Sequence, residues 1–502
     1  MKQVLTILLF TSLYSLNIIA QPVMSPRNMA LGGGGSTYIT DYHANFYNPA
    51  NLMIQDRETR FSIGIGIPAI FFNGMQNSEN PKKQLDHFRN HLDPYDSAPA
   101  PFSNKERLSI LEDNYPGNRT LSMNKGRYDI TLFGLNWLRD DKVFSFALRT
   151  RTSSSFNVGK GWYTSVFEEN SDNKNVVDRS LIHRYQSLHE ISFGYAESFR
   201  FLTNLTSRID NFIIGIAPKL VLGSDYQNGK WENIYEQNVE NGSINRIQNF
   251  DYNASGQFGE AATSYLSGTP ITQANEAFST TSFDINGIGA GLDIGITYLI
   301  TLGDDLSAVQ KNEQTQRSLR LSFSMTDIGI ISYNKSNIEL KSPTDTTFSS
   351  SVPNELSDQL FSGSKGQYID FIERFGKDNP FLVTPANEST FAVLLPMAMH
   401  AGALLEINRI KLMGDLSIGL TNNAFNTTRL TTSLGIELRP FSVLPIRGGL
   451  RLEGQRPEYV SIGTAIETKN WNLSLAGLFL PNSFTETPKP VGAAAATLQF
   501  HF

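Results

Sequence analysis

The dominant pattern along the chain is alternation of apolar and polar residues with a period of two. Phe61, Ile63, Ile65 and Ile67 share one parity, and Ser62, Gly64 and Gly66 the other. Phe144, Phe146 and Leu148 alternate with Ser145, Ala147 and Arg149. Leu319, Leu321, Phe323 and Met325 alternate with Arg320, Ser322 and Ser324. Towards the C-terminus the pattern is denser. Ile410, Leu412, Leu416 and Ile418 oppose Lys411, Asp415 and Ser417, and Leu434, Ile436 and Leu438 oppose Ser433, Glu437 and Arg439. Ile446, Leu450 and Leu452 oppose Arg447, Arg451 and Glu453, and Val460, Ile462 and Ile466 oppose Ser461, Gly463 and Glu467. Successive side chains of a strand point to opposite faces, so each stretch predicts a strand with one apolar face.

The pattern predicts 14 strands, near 58–71, 127–139, 142–152, 187–198, 209–222, 281–299, 317–332, 389–407, 409–420, 429–439, 445–454, 458–467, 470–480 and 491–502. The first, third, fifth and seventh connections are long, at 72–126, 153–186, 223–280 and 333–388. Those between them are shorter (140–141, 199–208, 300–316 and 408), and all later ones are short. A soluble sandwich has no reason to put every long insertion on an odd-numbered connection. A membrane barrel does, with short turns on one side and long loops outside. The expected fold is therefore all-β: a transmembrane antiparallel β-barrel over 58–502, of about 14 strands, with long extracellular loops at the four positions named. Helical spacing of Leu108 with Leu111, and of Tyr368, Phe371, Ile372 and Phe375, predicts short helices in those loops. Asn241-Gly242 and Asn379-Pro380 carry turn chemistry.

The chain opens with a short positive start, Met1-Lys2, and a broken apolar run from Val4 to Ala20. This reads as a secretory signal peptide over 1–20, with cleavage expected after Ala20. Gln21 follows rather than Cys, so no lipoprotein anchor is expected. No later apolar run reaches the about 20 residues that a spanning helix needs. Residues 21–57 remain as a segment ahead of the first strand.

Composition narrows the function classes. Charged residues make up 18% of the 502, below the roughly one quarter usual in soluble proteins, as expected if half of each strand faces hydrocarbon. The formal net charge of −6 argues against nucleic acid as a partner. The absence of Cys removes thiolate metal sites and Cys nucleophiles. His87 and His91 have the spacing of two ligands on one helical turn, with Asp86 alongside, but sit in a Lys- and Asn-rich stretch that reads as a solvated loop. Asp93, Asp96 and Asp113 are scattered rather than spaced as in a calcium loop. No local Ser, His and acid motif stands out. The expectation is no enzyme, no metal site and no cofactor.

Charges on the strands belong on the face away from lipid, where each avoids a cost of about 2–4 kcal/mol at the membrane midplane. This predicts lumen-facing Arg149, Arg151, Lys219, Arg320, Lys411, Asp415, Glu437, Arg439, Arg447, Arg451, Glu453 and Glu467. Glu437 and the Arg447/Arg451 pair lie on adjacent strands, so an interior ion pair is expected there. These charges either line a polar conduit or fill and rigidify the lumen. The chain ends Leu498-Gln499-Phe500-His501-Phe502, with apolar residues on one parity and a terminal aromatic.

Three segments carry family resemblances. Ala30-Leu31-Gly32-Gly33, then Asp41, then Asn48-Pro49-Ala50-Asn51-Leu52, resembles the N-terminal motif of FadL-like outer-membrane proteins. Asn51 stands where that family often has glycine. The resemblance implies that 21–57 is a plug inside the barrel, with Gly32, Gly33, Asp41, Asn48, Pro49 and Ala50 as its motif residues. It implies passage of hydrophobic or amphipathic small molecules. Thr326-Asp327-Ile328-Gly329, and Leu395-Pro396 before His400-Ala401-Gly402, resemble the Bacteroidota branch that includes PorV-like barrels of the type IX secretion system. That branch implies a non-transporting partner of protein export or gliding. The terminal Phe502 resembles the signal by which outer-membrane proteins meet the barrel-assembly machinery. Outer-membrane lipid, that machinery, and either a hydrophobic small molecule or a secretion-system protein are the expected partners.

Overall fold

The alternating stretches form strands, and fourteen strands close into one antiparallel barrel. The computed structural model describes residues 25–54, 60–73, 102–115, 120–122, 124–139, 141–164, 168–170, 174–199, 210–238, 240, 244–266, 284–302, 317–341, 346–350, 382–384, 390–426, 428–453, 456–479 and 493–502. The wall begins with β1 (Phe61–Ile67, continued by Ala69–Asn73), β2 (Asn124–Arg139), β3 (Lys142–Val158), β4 (Leu181–Phe199) and β5 (Asp210–Asn238). It continues with β6 (Gly287–Thr301), β7 (Arg317–Tyr333), β8 (Phe391–Leu394 and Ala398–Ile407), β9 (Ile410–Gly419) and β10 (Thr431–Phe441). The last four are β11 (Leu444–Glu453), β12 (Arg456–Glu467), β13 (Trp471–Phe479) and β14 (Ala493–His501). Each pairs with its neighbours in sequence. The ring closes where β1 pairs with β14, from Ser62↔His501 to Ile67↔Ala496. Phe502 donates its N–H to the Phe61 carbonyl at 2.8 Å, adding one more rung to that seam.

The two faces differ as lipid and lumen require. On β9, Leu412 and Leu416 are each 46% exposed, whereas Lys411 and Asp415 between them are 5% exposed. Outward Ile, Leu and Phe recur around the wall, including Phe193, Ile216, Leu321, Leu434 and Ile462. No helix among the described residues is long and apolar enough to cross a membrane.

Two loop expectations change. Residues 153–158, 181–186 and 223–238, expected within the long loops 153–186 and 223–280, are strand. β3, β4 and β5 run for 17, 19 and 29 residues, well past the about 9–11 that cross a bilayer. Their extensions hold together through a buried cluster including Phe156, Trp162, Tyr163, Trp231 and Tyr252. Apolar-out alternation stops there because water rather than lipid is outside. The helix predicted at Leu108 and Leu111 is Asn104–Asn114, capped by a Ser103/Glu106 box, but it buries Ile110 and leaves Leu108 55% exposed. A second loop helix, Gln257–Leu266, had no expectation attached. The signal-peptide segment 1–20, the helical spacing at Tyr368–Phe375, the turns at Asn241-Gly242 and Asn379-Pro380, and Asp86, His87, His91, Asp93 and Asp96 lie outside the described residues.

Residues 25–54 sit inside the ring, almost wholly buried. They form three short helical turns, Pro26–Ala30, Tyr42–Phe46 and Pro49–Met53. Each turn starts at a side chain that caps it. Ser25 accepts from the Asn28 N–H, Asp41 from the His43 N–H, and Asn48 from the Ala50 N–H. Such caps offset orphaned backbone donors, which a segment packed in a lumen has little water to satisfy.

Candidate functional site in the barrel lumen

The lumen is organised around the N-terminal segment. Gly32 and Gly33 turn the chain with φ of +73° and +78°, a region that favours glycine. The following turn rests on Asp415 of β9, whose carboxylate accepts from the Gly35 N–H at 3.1 Å, the Ser36 N–H at 3.2 Å and the Ser36 hydroxyl. The Asn48 amide donates to the Ser36 carbonyl and to the Thr297 hydroxyl, both at 2.9 Å. Asn51 also binds both: its amide donates to the Ser36 carbonyl at 2.6 Å and its oxygen accepts from Thr297 at 2.7 Å. The residue that departs from the family motif is thus a bridge to the wall. Inward-facing wall glycines make room for this segment. A Cβ at Gly64 or Gly134 would run into the Tyr42 ring, one at Gly215 into the Pro49–Ala50 backbone, and one at Gly295 into the Asn48 side chain.

Asp41 ties the segment to the closing seam. It accepts from Gln499 of β14 at 2.8 Å and faces His43 Nδ1 at 2.8 Å. Burial pushes its carboxyl up, but the charge and hydrogen bonds of His43, with help from Arg27, outweigh this and hold it well below the usual carboxylate range.

The inward charges form networks. In the first, Arg151 holds Asp327 in a two-point grip at 2.9 and 2.7 Å and reaches Glu190 at 2.6 Å. Lys219 contacts Asp293 at 2.8 Å and also Asp327. Arg149 lies 3.3 Å from Asp129 and 3.4 Å from Glu190, and Arg127 lies 3.2 Å from Asp129. The guanidinium of Arg149 stands 4.6 Å from the Phe46 ring centre. Those of Arg127 and Arg151 stand 5.1 and 4.7 Å from that of Phe425. In the second network, Arg447 bridges Glu437 at 2.8 Å and Glu467 at 2.7 Å. Arg439 bridges the same two acids at 2.7 and 2.9 Å, Arg27 reaches Glu467 at 3.3 Å, and the Tyr38 hydroxyl donates to Glu437. A smaller group joins Arg320 and Lys411 to Glu406, each at 3.4 Å.

Of the charges assigned to the lumen from sequence, Arg149, Arg151, Lys219, Arg320, Lys411, Asp415, Glu437, Arg447, Arg451 and Glu467 are buried there. Arg439 is partly exposed at the short-turn rim, with its side chain at 19%. The side chain of Glu453 lies outside the described set. Glu437 pairs with Arg447, its cross-strand partner, and not with Arg451, whose guanidinium reaches the Ser433 hydroxyl at 3.4 Å. The sequence reading missed Arg27, Arg127, Asp129, Glu190, Asp293, Asp327 and Glu406. Parity would have found Glu190 and Asp293, which share a face with Ser192 and Thr297. It fails at Asp327, where a left-handed φ of +59° lets both Thr326 and Asp327 point inward.

Two cavities flank this packing. The inner one is about 50 Å3 and lies between Phe46, Tyr47, Phe425 and the arginines of the first network. The outer one is about 410 Å3, at the long-loop end. Tyr185, Tyr226, Phe391 and Val393 give it apolar walls, Gln186, Gln227, Asn228 and Asn253 add neutral amides, and Arg184 and Glu339 add one charge of each sign. Tyr226, Tyr333 and Phe391 pack ring to ring at 5.1–5.6 Å along one side of it. Ala424 lines the outer cavity and Phe425 the inner, so the 420–426 turn separates them. Among the described residues no cluster of His, Asp and Glu has the arrangement of a metal site.

Residues 56–473 match DUF5723, described as a family of unknown function. The chain belongs to this family. The DUF5723 match spans the barrel from β1 to the start of β13 and leaves the segment at 25–54 outside it. No curated protein matches the chain in sequence. Among solved structures it is similar to the toluene transporter TodX of P. putida, with TM-score 0.40 and 10% identity over 95% of this chain and 97% of that one. It is also similar to the monoaromatic hydrocarbon channel CymD, with TM-score 0.38 and 10% identity over 95% and 97%.

Proposed function

We propose that this DUF5723 barrel is an outer-membrane channel, FadL-like in plan, that passes hydrophobic or amphipathic small molecules rather than catalysing a reaction. The observation that carries the reading is the outer cavity. Its volume of about 410 Å3 falls within the range of small-molecule sites. Its wall of aromatic and aliphatic side chains interleaved with amides and with Arg184 and Glu339 suits a solute that is apolar along one flank and hydrogen-bonding along another. The solute enters at the long-loop end, reaches Phe425, and leaves past the Asn48-Pro49-Ala50 turn. That exit requires the N-terminal segment to shift, because Asn48 and Ala50 are fully buried against β5 and β6.

The packed, ion-paired lumen favours a second reading. In it the barrel transports nothing and serves as a structural or accessory partner of a protein-export or gliding machinery, as PorV-like barrels do. One experiment separates the two. The protein is purified in detergent from its native membrane, and both its organic extract and its co-purifying proteins are analysed. The channel reading expects a bound hydrophobic or amphipathic compound at near-stoichiometric amount. A stoichiometric protein partner without such a compound would support the second reading, and finding neither would sink both.

A further inference from the structure

The inner cavity has a chemistry that the passage of apolar molecules does not use. Arg127, Arg149, Arg151 and Arg451 all line it, together with His400 and Thr326. The four arginines are each no more than 3% exposed. Among the described residues Asp327 is the one acid in the lining, and its oxygens already accept from both Arg151 Nη atoms and from Lys219. Three buried donor atoms of these arginines, Arg127 Nε, Arg149 Nη2 and Arg151 Nε, have no hydrogen-bond partner, and the neighbouring acceptors that also have none, both Asp129 oxygens and Glu190 Oε2, belong to residues outside the cavity lining. Buried donors on cations are costly to leave unsatisfied, so they point to a ligand rather than to packing alone. The lining offers donors from several directions, and guanidinium planes match the geometry of oxyanions. A cavity of about 50 Å3 is several times what one water needs, and suits a compact tetrahedral or planar anion.

We propose that this cavity is a binding site for a compact oxyanion, with phosphate as the reference chemistry, either free or at the head of a lipid. The anion would sit beside Phe425 and Phe46, at the junction between the outer cavity and the N-terminal segment. Arg127 and Arg451 would be anion ligands whose removal still leaves each acid of the first network a cation. Without them Asp129 keeps Arg149, Glu190 keeps Arg151, and Asp327 keeps Arg151 and Lys219. The site does not depend on what occupies the outer cavity, so it can stand or fall apart from the channel reading.

The test uses the full-length protein in phosphate-free detergent. Sodium phosphate is titrated calorimetrically against sodium chloride at matched ionic strength, and phosphorus is measured in an organic extract of the washed protein. Expected for the wild type is either saturable phosphate binding or stoichiometric lipid phosphorus in the extract; the first identifies free anion and the second a lipid headgroup. Arg451→Gln and Arg127→Gln should each weaken the binding, or deplete the lipid phosphorus, by about tenfold or more, the worth of one charge-assisted hydrogen bond. Lys142→Gln, at the exposed rim, should change neither. Neither signal in the wild type, or a signal unchanged in both arginine variants while they unfold at the wild-type temperature, would overturn the proposal.

Discussion

The two ends of the lumen are built from different materials. Around the N-terminal segment, charged side chains from many strands are buried and paired, and the space left is about 50 Å3. At the long-loop end, a lining mostly of rings, aliphatic side chains and neutral amides leaves about 410 Å3. Both ends obey the same outward rule, since apolar residues face lipid wherever the wall crosses it. They differ in what the inward face must do. One end holds down a piece of its own chain, using glycines for room and ion pairs for grip. The other encloses open volume mostly with uncharged side chains, Arg184 and Glu339 being the charged ones described there.

This contrast sets an order of expected effects. The largest belongs to the first charge network. Asp327→Ala leaves Arg151 and Lys219 buried without their shared acid, and should cost about 3 kcal/mol or more of stability, read from denaturant or thermal unfolding in detergent. A cost below about 1 kcal/mol would mean that water reaches the network and that this end is less tightly packed than described. Next comes Gly134→Val, which drives a side chain into the Tyr42 ring. It should cost about 1–3 kcal/mol and expose residues 25–54 to added protease while the barrel stays closed.

A smaller effect, dependent on pH, is expected at Asp41. Its folded carboxyl lies below the ordinary value, so its contribution is present above the unfolded pKa of about 4 and is lost as pH falls below that towards the folded value. Asp41→Asn should therefore cost about 1 kcal/mol at pH 7, and the difference from wild type should shrink through the acid range below pH about 4. A gap that widens on acidification would contradict the assignment. The smallest effect belongs to the rim pair Lys142–Glu197, at 3.4 Å with the lysine 49% exposed. Lys142→Gln should leave the unfolding midpoint unchanged at both low and high salt, because solvent and ions screen a pair this exposed.

Much of the wall was legible before any coordinates, because lipid enforces strict alternation. The strand β9 reads Ile-Lys-Leu-Met-Gly-Asp-Leu from 410 to 416, and the charged positions there could only face inward. Alternation loses its force where the constraint ends. The Ser-rich end of β3 is strand held by partners and an aromatic cap, neither of which is local in sequence. Pairing inside the lumen is likewise non-local. Lys219, Asp293 and Asp327 come from three strands, and Arg27 meets Glu467 across 440 positions. Which cation meets which acid depends on register and on local breaks such as the one at Asp327. The outer cavity was not legible at all, since Tyr185, Tyr226 and Phe391 read only as aromatic residues in or near loops.

Passage through this barrel turns on the outer cavity as the entrance for an apolar or amphipathic solute. The most direct measurement is uptake of an uncharged aromatic fluorophore by proteoliposomes holding the full-length protein, beside empty liposomes and beside Asn228→Trp, which places a bulky ring in that cavity. A channel entered there gives faster uptake with the wild type than with empty liposomes, and a rate reduced towards the empty level by Asn228→Trp. Uptake with the wild type no faster than with empty liposomes, or a rate that Asn228→Trp leaves unchanged, would contradict it.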